Sequence, residues 1–178
     1  LVVGPNDLLS IPLLIKQIIR EKSRALACST MEREQDFYVS NYRAEKDHAY
    51  VVISEGCSNF CSYCVVPYVR GRLHCRAPED ILDEMKRTVD LGIKNITLLG
   101  QNVNSYKFAN VNFVKLLEMV NALDGLKQFD FVTSHPKDTP DELFFAMRDL
   151  DKCKQFLHLP IQSGSDKILM LMNRGYTR

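Results

Sequence analysis

From Tyr50 onward the chain alternates β-type and helix-type runs four times. Such alternation leaves little choice of fold, because a strand rejoins its neighbour in parallel only through a crossover, and the usual crossover is a helix. The β-type runs, Tyr50 to Ser54, Asn95 to Leu99, Phe129 to Thr133 and Phe156 to Ile161, are rich in β-branched, aromatic and leucine side chains. The helical runs carry start and stop signals. Pro78, Glu79 and Asp80 combine a proline suited to the first turn with two carboxylates at the positive end of the helix dipole, and Gly92 closes that helix. Phe113, Leu116, Leu117 and Val120 recur at i, i+3, i+4 and i+7 to make one apolar face, with Gly125 placed to stop it. Thr139, Pro140, Asp141 and Glu142 open a third helix. Ser165 and Asp166 open a fourth, whose Ile168, Leu171 and Met172 share a face. The fold class is therefore α/β. Four strand-helix units are too few to close a barrel and an open sheet would leave two bare edges, so a partial parallel (βα) barrel in a truncated chain is expected.

Residues 1–49 have a different character. A short apolar strand at Leu1 to Val3, a Gly4-Pro5 turn and a helix through Leu14, Ile15, Ile18 and Ile19 read as the tail of a preceding α/β domain. Between Glu21 and His48 the composition turns polar, with only Phe37, Tyr38 and Val39 suggesting a strand, which marks a connector. The expected division is thus 1–49 and 50–178. A 46% hydrophobic content over 178 residues is enough to bury a core and excludes a disordered chain. Lys and Arg total 23 against 22 Asp and Glu, so a protein that coats nucleic acid by charge alone is excluded and any such contact is local. The most apolar stretch, Leu8 to Ile15, is interrupted by Ser10 and Pro12, and it falls far short of the roughly 20 residues of a membrane span. No basic-then-apolar leader opens the sequence, so a cytosolic (cytoplasmic) protein with no membrane partner is expected.

In parallel α/β folds chemistry collects where strands end at their carboxyl edge. Here those ends read Glu55-Gly56-Cys57, Gly100-Gln101-Asn102, Ser134-His135-Pro136 and Gln162-Ser163-Gly164-Ser165. Strand parity puts Leu157, Leu159 and Ile161 on one face and Phe156, His158, Pro160 and Gln162 on the other. His158 and Gln162 are then expected to point into the barrel, as are Thr97 with Gln101 and Thr133 with His135. Of the six cysteines, Cys57, Cys61 and Cys64 crowd into eight residues with the spacing C-x3-C-x2-C. Bridges between such near neighbours close tiny loops and stabilise little, so metal ligation is the better reading. Three thiolates on one loop can wrap one side of a cubane iron-sulfur cluster and leave one iron open for a substrate. Soft sulfur also suits zinc, with His74 or Cys75 as the fourth ligand, and the spacing leaves both open. Cys28, Cys75 and Cys153 lack such spacing and read as small buried hydrophobes. Between Gly56 and Pro78 the charged side chains are Arg70, Arg72 and Arg76, with Tyr68 nearby. That combination suits a splayed RNA loop, in which arginines meet phosphates and rings stack on bases.

The cysteine loop, with an aromatic before its last cysteine, resembles the radical S-adenosylmethionine superfamily. The longer run from Glu55-Gly56-Cys57 through Cys61, Cys64 and Pro67 to Arg70-Gly71-Arg72 resembles its methylthiotransferases. Leu99-Gly100-Gln101-Asn102-Val103-Asn104-Ser105-Tyr106 and His158-Leu-Pro-Ile-Gln162-Ser-Gly-Ser165 are similar to the MiaB branch, which modifies tRNA. The resemblance covers nearly all of residues 50–178. It implies a radical SAM core preceded by the end of a methylthiotransferase N-terminal domain. It further implies a 4Fe-4S cluster on Cys57, Cys61 and Cys64, with S-adenosyl-L-methionine chelated by the open iron and reductively cleaved to a 5'-deoxyadenosyl radical. By the same resemblance Tyr63, Gly100, Gln101, His158 and Gln162 lie at that cofactor, and Arg70, Arg72 and Arg76 contact RNA. Family members add a methylthio group to C2 of an isopentenylated adenosine beside the anticodon. They take electrons from a flavodoxin-type or similar donor and sulfur through a second 4Fe-4S cluster held by three cysteines of the N-terminal domain. Cys28 alone cannot supply three ligands, so that second cluster is expected outside this sequence, and full methylthiolation is not expected of it. Cys75 departs from the serine that relatives tend to carry.

Overall fold

The computed structural model describes residues 1–29 and 47–178. The first segment holds β1 (Val2–Val3), a 3-10 turn over Pro5–Ser10, α1 (Ile11–Glu21) and β2 (Leu26–Ala27), with β1 and β2 paired in parallel. The strand expected at Phe37, Tyr38 and Val39 lies outside the described residues. The second segment runs β3 (His48–Val52), β4 (Ser54–Glu55), α2 (Val66–Val69), β5 (His74–Cys75), α3 (Pro78–Asp90), β6 (Asn95–Leu99), β7 (Lys107–Phe108), β8 (Val111–Asn112), α4 (Phe113–Asn121), β9 (Gln128–Phe131), α5 (Asp141–Asp149) and α6 (Asp166–Leu171). β3, β6 and β9 form a parallel sheet with β6 at its centre, and α3 and α4 lie in the crossovers between them. The expected α/β class with parallel strands is what the chain adopts.

Register explains which face is the core. Ala49 stands opposite Ile96, which stands opposite Phe129; Val51, Leu98 and Phe131 form the next row. All six are buried, and α3 adds Ile81 and Met85, α4 adds Leu116, Leu117 and Val120, and α5 adds Leu143 and Met147 to the same cluster. Each such side chain, fully removed from water, contributes on the order of 1.5–3 kcal/mol. The opposite face carries Tyr50, Thr97 and Asp130 in one row. Tyr50 is half exposed there, and Thr97 donates to Asp130 Oδ1 while its hydroxyl lies 2.9 Å from His48 Nε2. The helices therefore cover one side of the sheet; Thr97 lies on the other, polar side as parity predicted, whereas Phe129 and Phe131, which share the parity of Thr133, lie on the helix-covered side.

Three expectations need correction. The first strand, expected over Tyr50 to Ser54, ends at Val52; the chain bends at Ile53 so that Ser54 and Glu55 pair antiparallel with Cys75 and His74. No strand forms over Phe156 to Ile161. The edge of β9 is satisfied upstream instead, where Phe129 accepts from Lys154 N–H at 2.8 Å and donates to the Lys152 carbonyl at 2.9 Å, and Pro160 brings no N–H to any ladder. Finally, the third strand, expected over Phe129 to Thr133, is β9 over Gln128–Phe131, and Thr133 sits in the left-handed region at φ 69°, which no strand residue adopts.

Candidate active site

The cysteine loop leaves β4 through Gly56, whose φ of 73° is the left-handed region that side chains avoid. A Cβ there would lie 2.1 Å from the Arg72 carbonyl oxygen, so glycine lets the returning strand close over the loop entrance. The same residue donates its N–H to Gln101 Oε1 at 2.5 Å, and Cys57 N–H donates to the Gly71 carbonyl at 3.2 Å. The far end of the loop is tied to the segment after α6. Ser62 N–H donates to the Met172 carbonyl at 3.1 Å, and Asn173 Nδ2 donates to the Phe60 carbonyl at 2.8 Å, with Phe60 itself at φ 48°. From beneath, the Asp138 carboxylate accepts from Asn59 Nδ2 at 3.1 Å, Asn102 Nδ2 at 2.7 Å and Ser105 Oγ at 2.7 Å. Asp138 thus joins the loop after β4 to those after β6 and β9.

That carboxylate has a pH signature. Burial raises its pKa, but the hydrogen bonds from Ser105, Asn59 and Asn102, with nearby Lys137, outweigh burial and hold it below the usual aspartate range. A carboxylate depressed on folding stabilises the fold above its unfolded pKa and loses that contribution as pH falls through the depressed value. Asp138→Asn is expected to cost about 1–2 kcal/mol at pH 7. It should also flatten the loss of stability below about pH 4, read from denaturant midpoints across pH.

Cys61 is the buried member of the three loop cysteines, and Cys57 and Cys64 are half-buried. Burial pushes the Cys57 thiol up, an Asn59 backbone hydrogen bond pulls it down, and the neighbouring Cys61 and Cys64 raise it again. The neighbouring thiols thus add to the cost of ionising Cys57, which a bound cationic centre would relieve. Two groups face Cys61 Sγ: Arg174 Nη1 at 3.4 Å and His135 Nε2 at 3.8 Å. His135 Nδ1 accepts the Lys137 N–H at 3.1 Å, which assigns the ring proton to Nε2, on the side of the sulfur. Burial, and next the Arg174 charge, push the His135 pKa down to about 4, so the ring is neutral at pH 7. Asn104 fixes that histidine from both sides of its backbone, accepting its N–H and donating to its carbonyl, each at 2.9 Å.

The five residues expected at the cofactor do not all meet. Gly100 packs so closely on β4 that a Cβ would come 2.4 Å from Ser54 Oγ, and its carbonyl accepts from Thr133 Oγ1 at 2.5 Å. Thr133 N–H in turn donates to His158 Nδ1 at 3.2 Å. One hydrogen-bonded path thus runs from His158 through Thr133 to Gly100, and from its neighbour Gln101 to Gly56. Tyr63 joins from the other side, its hydroxyl 3.3 Å from Arg174 Nη1. Gln162 is exposed at φ 67°, and His158 is exposed as well. The strand parity that aimed both inward fails because no strand forms there.

The three expected RNA-contacting arginines also separate. Arg70 and Arg72 are exposed, and the Arg72 guanidinium lies 5.7 Å from the Phe60 ring, which meets the exposed Tyr68 edge-on at 5.8 Å. Arg76 is instead buried: Nη1 pairs with Glu84 at 2.6 Å and donates to the Val52 carbonyl at 2.7 Å. It is a core residue, not a surface contact. Cys75, one of the two candidates with His74 for a fourth zinc ligand, lies in the core too, its sulfur accepting the Lys107 N–H at 3.4 Å. Asp138 and Arg174 were not singled out by sequence reasoning. A lone aspartate after Ser-His-Pro-Lys and a lone arginine after a short helix carry no spacing signal.

The residues present fit a cluster with a ligand beside it. Among the described residues, the buried side-chain polar atoms without a hydrogen-bond partner are Ser54 Oγ, Asn102 Oδ1, Ser134 Oγ and Arg174 Nε. Ser54, Asn102 and Ser134 follow β3, β6 and β9 at the carboxyl edge, and Arg174 sits on the cysteine loop, where such atoms await partners. No three His, Cys, Asp or Glu side chains among the described residues converge as a single ion requires. A cubane instead takes each thiolate on a separate iron.

A family model described as "Radical SAM superfamily" matches residues 51–178. The chain belongs to the radical SAM superfamily. Relatives within it include proteins named tRNA-2-methylthio-N(6)-dimethylallyladenosine synthase. One from Caldicellulosiruptor saccharolyticus is 47% identical over 181 residues, covering 100% of this chain and 38% of that protein. One from Moorella thermoacetica is 46% identical, covering 100% and 41%, and one from a Thermoanaerobacter species is 56% identical over 133 residues, covering 73% and 28%. The chain therefore spans about two fifths of the length of the first two. Among solved structures, a radical S-adenosylmethionine methyltransferase from Kitasatospora setae matches with a TM-score of 0.58 at 17% identity, covering 75% of this chain and 26% of that one. A second structure of that enzyme, with cobalamin and a [4Fe-4S] cluster bound, matches at 0.57. These likenesses speak to the radical SAM fold alone. No helix among the described residues is long and apolar enough to cross a membrane.

Proposed function

We propose that this chain is the radical-generating part of a tRNA methylthiotransferase that adds a methylthio group to C2 of N6-isopentenyladenosine. The observation that carries this reading is the three-thiol loop pinned at the carboxyl edge of the parallel sheet, in a chain whose relatives bear that enzyme's name. In this reading Cys57, Cys61 and Cys64 hold three irons of a 4Fe-4S cluster, which supplies one-electron cleavage of S-adenosyl-L-methionine. Ser54, Gly100 and Gln101 shape the floor beside it, and Asn102 and Ser134 offer unspent polar atoms to the cofactor. His158, through Thr133, and Tyr63, through Arg174, border the same edge, and Gln162 reaches the cofactor from the exposed segment that follows His158. A second cluster belongs to a part of the full enzyme outside this sequence, and a low-potential donor of flavodoxin type supplies electrons in the cytoplasm. The substrate end is Arg70, Arg72 and Tyr68, exposed charges and a ring beside the half-buried Phe60, which suit a splayed anticodon loop.

Two measurements on the full chain test this. Loaded anaerobically with iron and sulfide and then reduced, it should release 5'-deoxyadenosine from S-adenosyl-L-methionine, read by chromatography and mass spectrometry; zinc uptake without that product would reject the reading. Arg70→Ala with Arg72→Ala should weaken binding of an isopentenylated anticodon stem-loop. It should also reduce the slope of log affinity against log salt by about 0.7 for each lost phosphate contact. An unchanged slope would remove these arginines from the RNA surface.

A further inference from the structure

We infer that Arg174 and His135 form a paired N–H donor shell on the sulfur of Cys61 that raises the reduction potential of the cluster held there. The inference rests on the cluster assignment of the preceding section and assigns roles to two residues that lie 113 and 74 positions from Cys61 in sequence.

The environment of Arg174 is the starting point. The residue is buried, at a relative exposure of 5%, yet among the described residues it enters no carboxylate ion pair. Nη2 donates to the Pro160 carbonyl at 2.8 Å, the guanidinium lies 5.5 Å from the Tyr176 ring, and Nε has no partner. Nη1 is the group turned to Cys61 Sγ. A buried cation without a compensating anion is costly. An iron-sulfur cluster with three thiolate ligands would be such an anion, and Cys61, which would ligate it, is the thiol that Arg174 Nη1 faces. His135 brings the second donor: with Nδ1 spent as acceptor for Lys137 N–H, Nε2–H faces the same sulfur.

The direction of the effect follows from charge. Reduction adds one electron to the cluster, taken from the external reductant, and part of the added negative charge falls on the thiolate sulfurs. N–H donors and a positive guanidinium stabilise the reduced form more than the oxidised one, as hydrogen bonds to cluster sulfurs do generally. Sharing one sulfur between donors from the loop after β9 and the segment after α6 also makes the potential depend on both segments being seated. Arg174 is therefore a positioning and tuning residue that acts through Cys61.

The test is an anaerobic redox titration of the full cluster-loaded chain without S-adenosyl-L-methionine, the midpoint being read from the electron paramagnetic resonance signal of the reduced cluster. Arg174→Gln is expected to shift the one-electron equilibrium about tenfold toward the oxidised form, a fall of about 59 mV. Arg174→Lys, which keeps the charge, should recover part of it, and His135→Phe should shift the midpoint the same way by a smaller amount. Leaving the cofactor out ensures that altered cofactor binding does not produce the shift. An intact cluster with an unmoved midpoint in Arg174→Gln overturns the inference. If that variant fails to hold a cluster, an unmoved midpoint in His135→Phe and Arg174→Lys overturns it equally. Failure of the unaltered chain to take up any 4Fe-4S cluster is a different outcome, which overturns the cluster assignment and this inference with it.

Discussion

Cys61→Ala is expected to abolish cluster assembly. The loop offers three thiols, and losing one would leave two of the four irons without a protein thiolate, on a short, partly exposed loop that does not shield them from water. Cys61 is the buried one, so its loss also leaves Arg174 facing an alanine methyl with no anion in reach. Iron and sulfide content per chain, with the visible absorbance of the reconstituted protein, should fall to background. Cys153→Ala serves as the comparison, because Cys153, alongside the edge of β9, packs into the core, where burial pushes its thiol up to about 11 and keeps it protonated. That variant should keep the cluster. Full iron and sulfide in Cys61→Ala would mean that the ligand set is wrong.

The second large effect concerns stability. Arg76 and Glu84 form a buried pair at 2.6 Å, each side chain 4% exposed, and Arg76 also satisfies the Val52 carbonyl at the end of β3. Removing one partner leaves the other charge in the core, so Glu84→Ala should cost about 3–5 kcal/mol, seen as a lowered denaturant midpoint with an unchanged slope. Replacing both, with Arg76→Met and Glu84→Leu, should recover most of that loss, because two apolar side chains of similar volume no longer need a partner. A cost within 0.5 kcal/mol for Glu84→Ala would match a surface pair and contradict the burial described here.

The Arg76 pair also shows where sequence reading stops. In sequence Arg76 belongs to a short basic run with Arg70 and Arg72, and composition treats the three alike. Its partner Glu84 sits eight residues on, inside α3, on the face that also carries Ile81 and Thr88. Only the packing of that helix decides that this arginine turns inward. The sheet was legible because alternating runs state both the strand and its crossover, and β6, α3, α4 and α5 fall where periodicity and caps put them, while β9 starts one residue early and stops two short, at Phe131. The Phe156 to Ile161 run has the right side chains for a strand, but the edge of β9 pairs with Lys152 and Lys154 instead, a competition between registers that composition does not express. At the site, the thiols were legible because three soft ligands on one loop have a characteristic spacing. Asp138, His135 and Arg174 support that loop from 74 to 113 residues away, and side chains that meet only through tertiary folding leave no local pattern.

The most direct test of the whole account is the electron paramagnetic resonance spectrum of the anaerobically reconstituted, reduced chain, recorded with and without S-adenosyl-L-methionine. A 4Fe-4S signal that changes on adding the cofactor, and is absent from Cys61→Ala, is the expected result, since it requires an iron left open by a three-cysteine ligand set. A cluster spectrum indifferent to the cofactor, or a chain that binds zinc in place of iron, would contradict the open-iron site at its foundation.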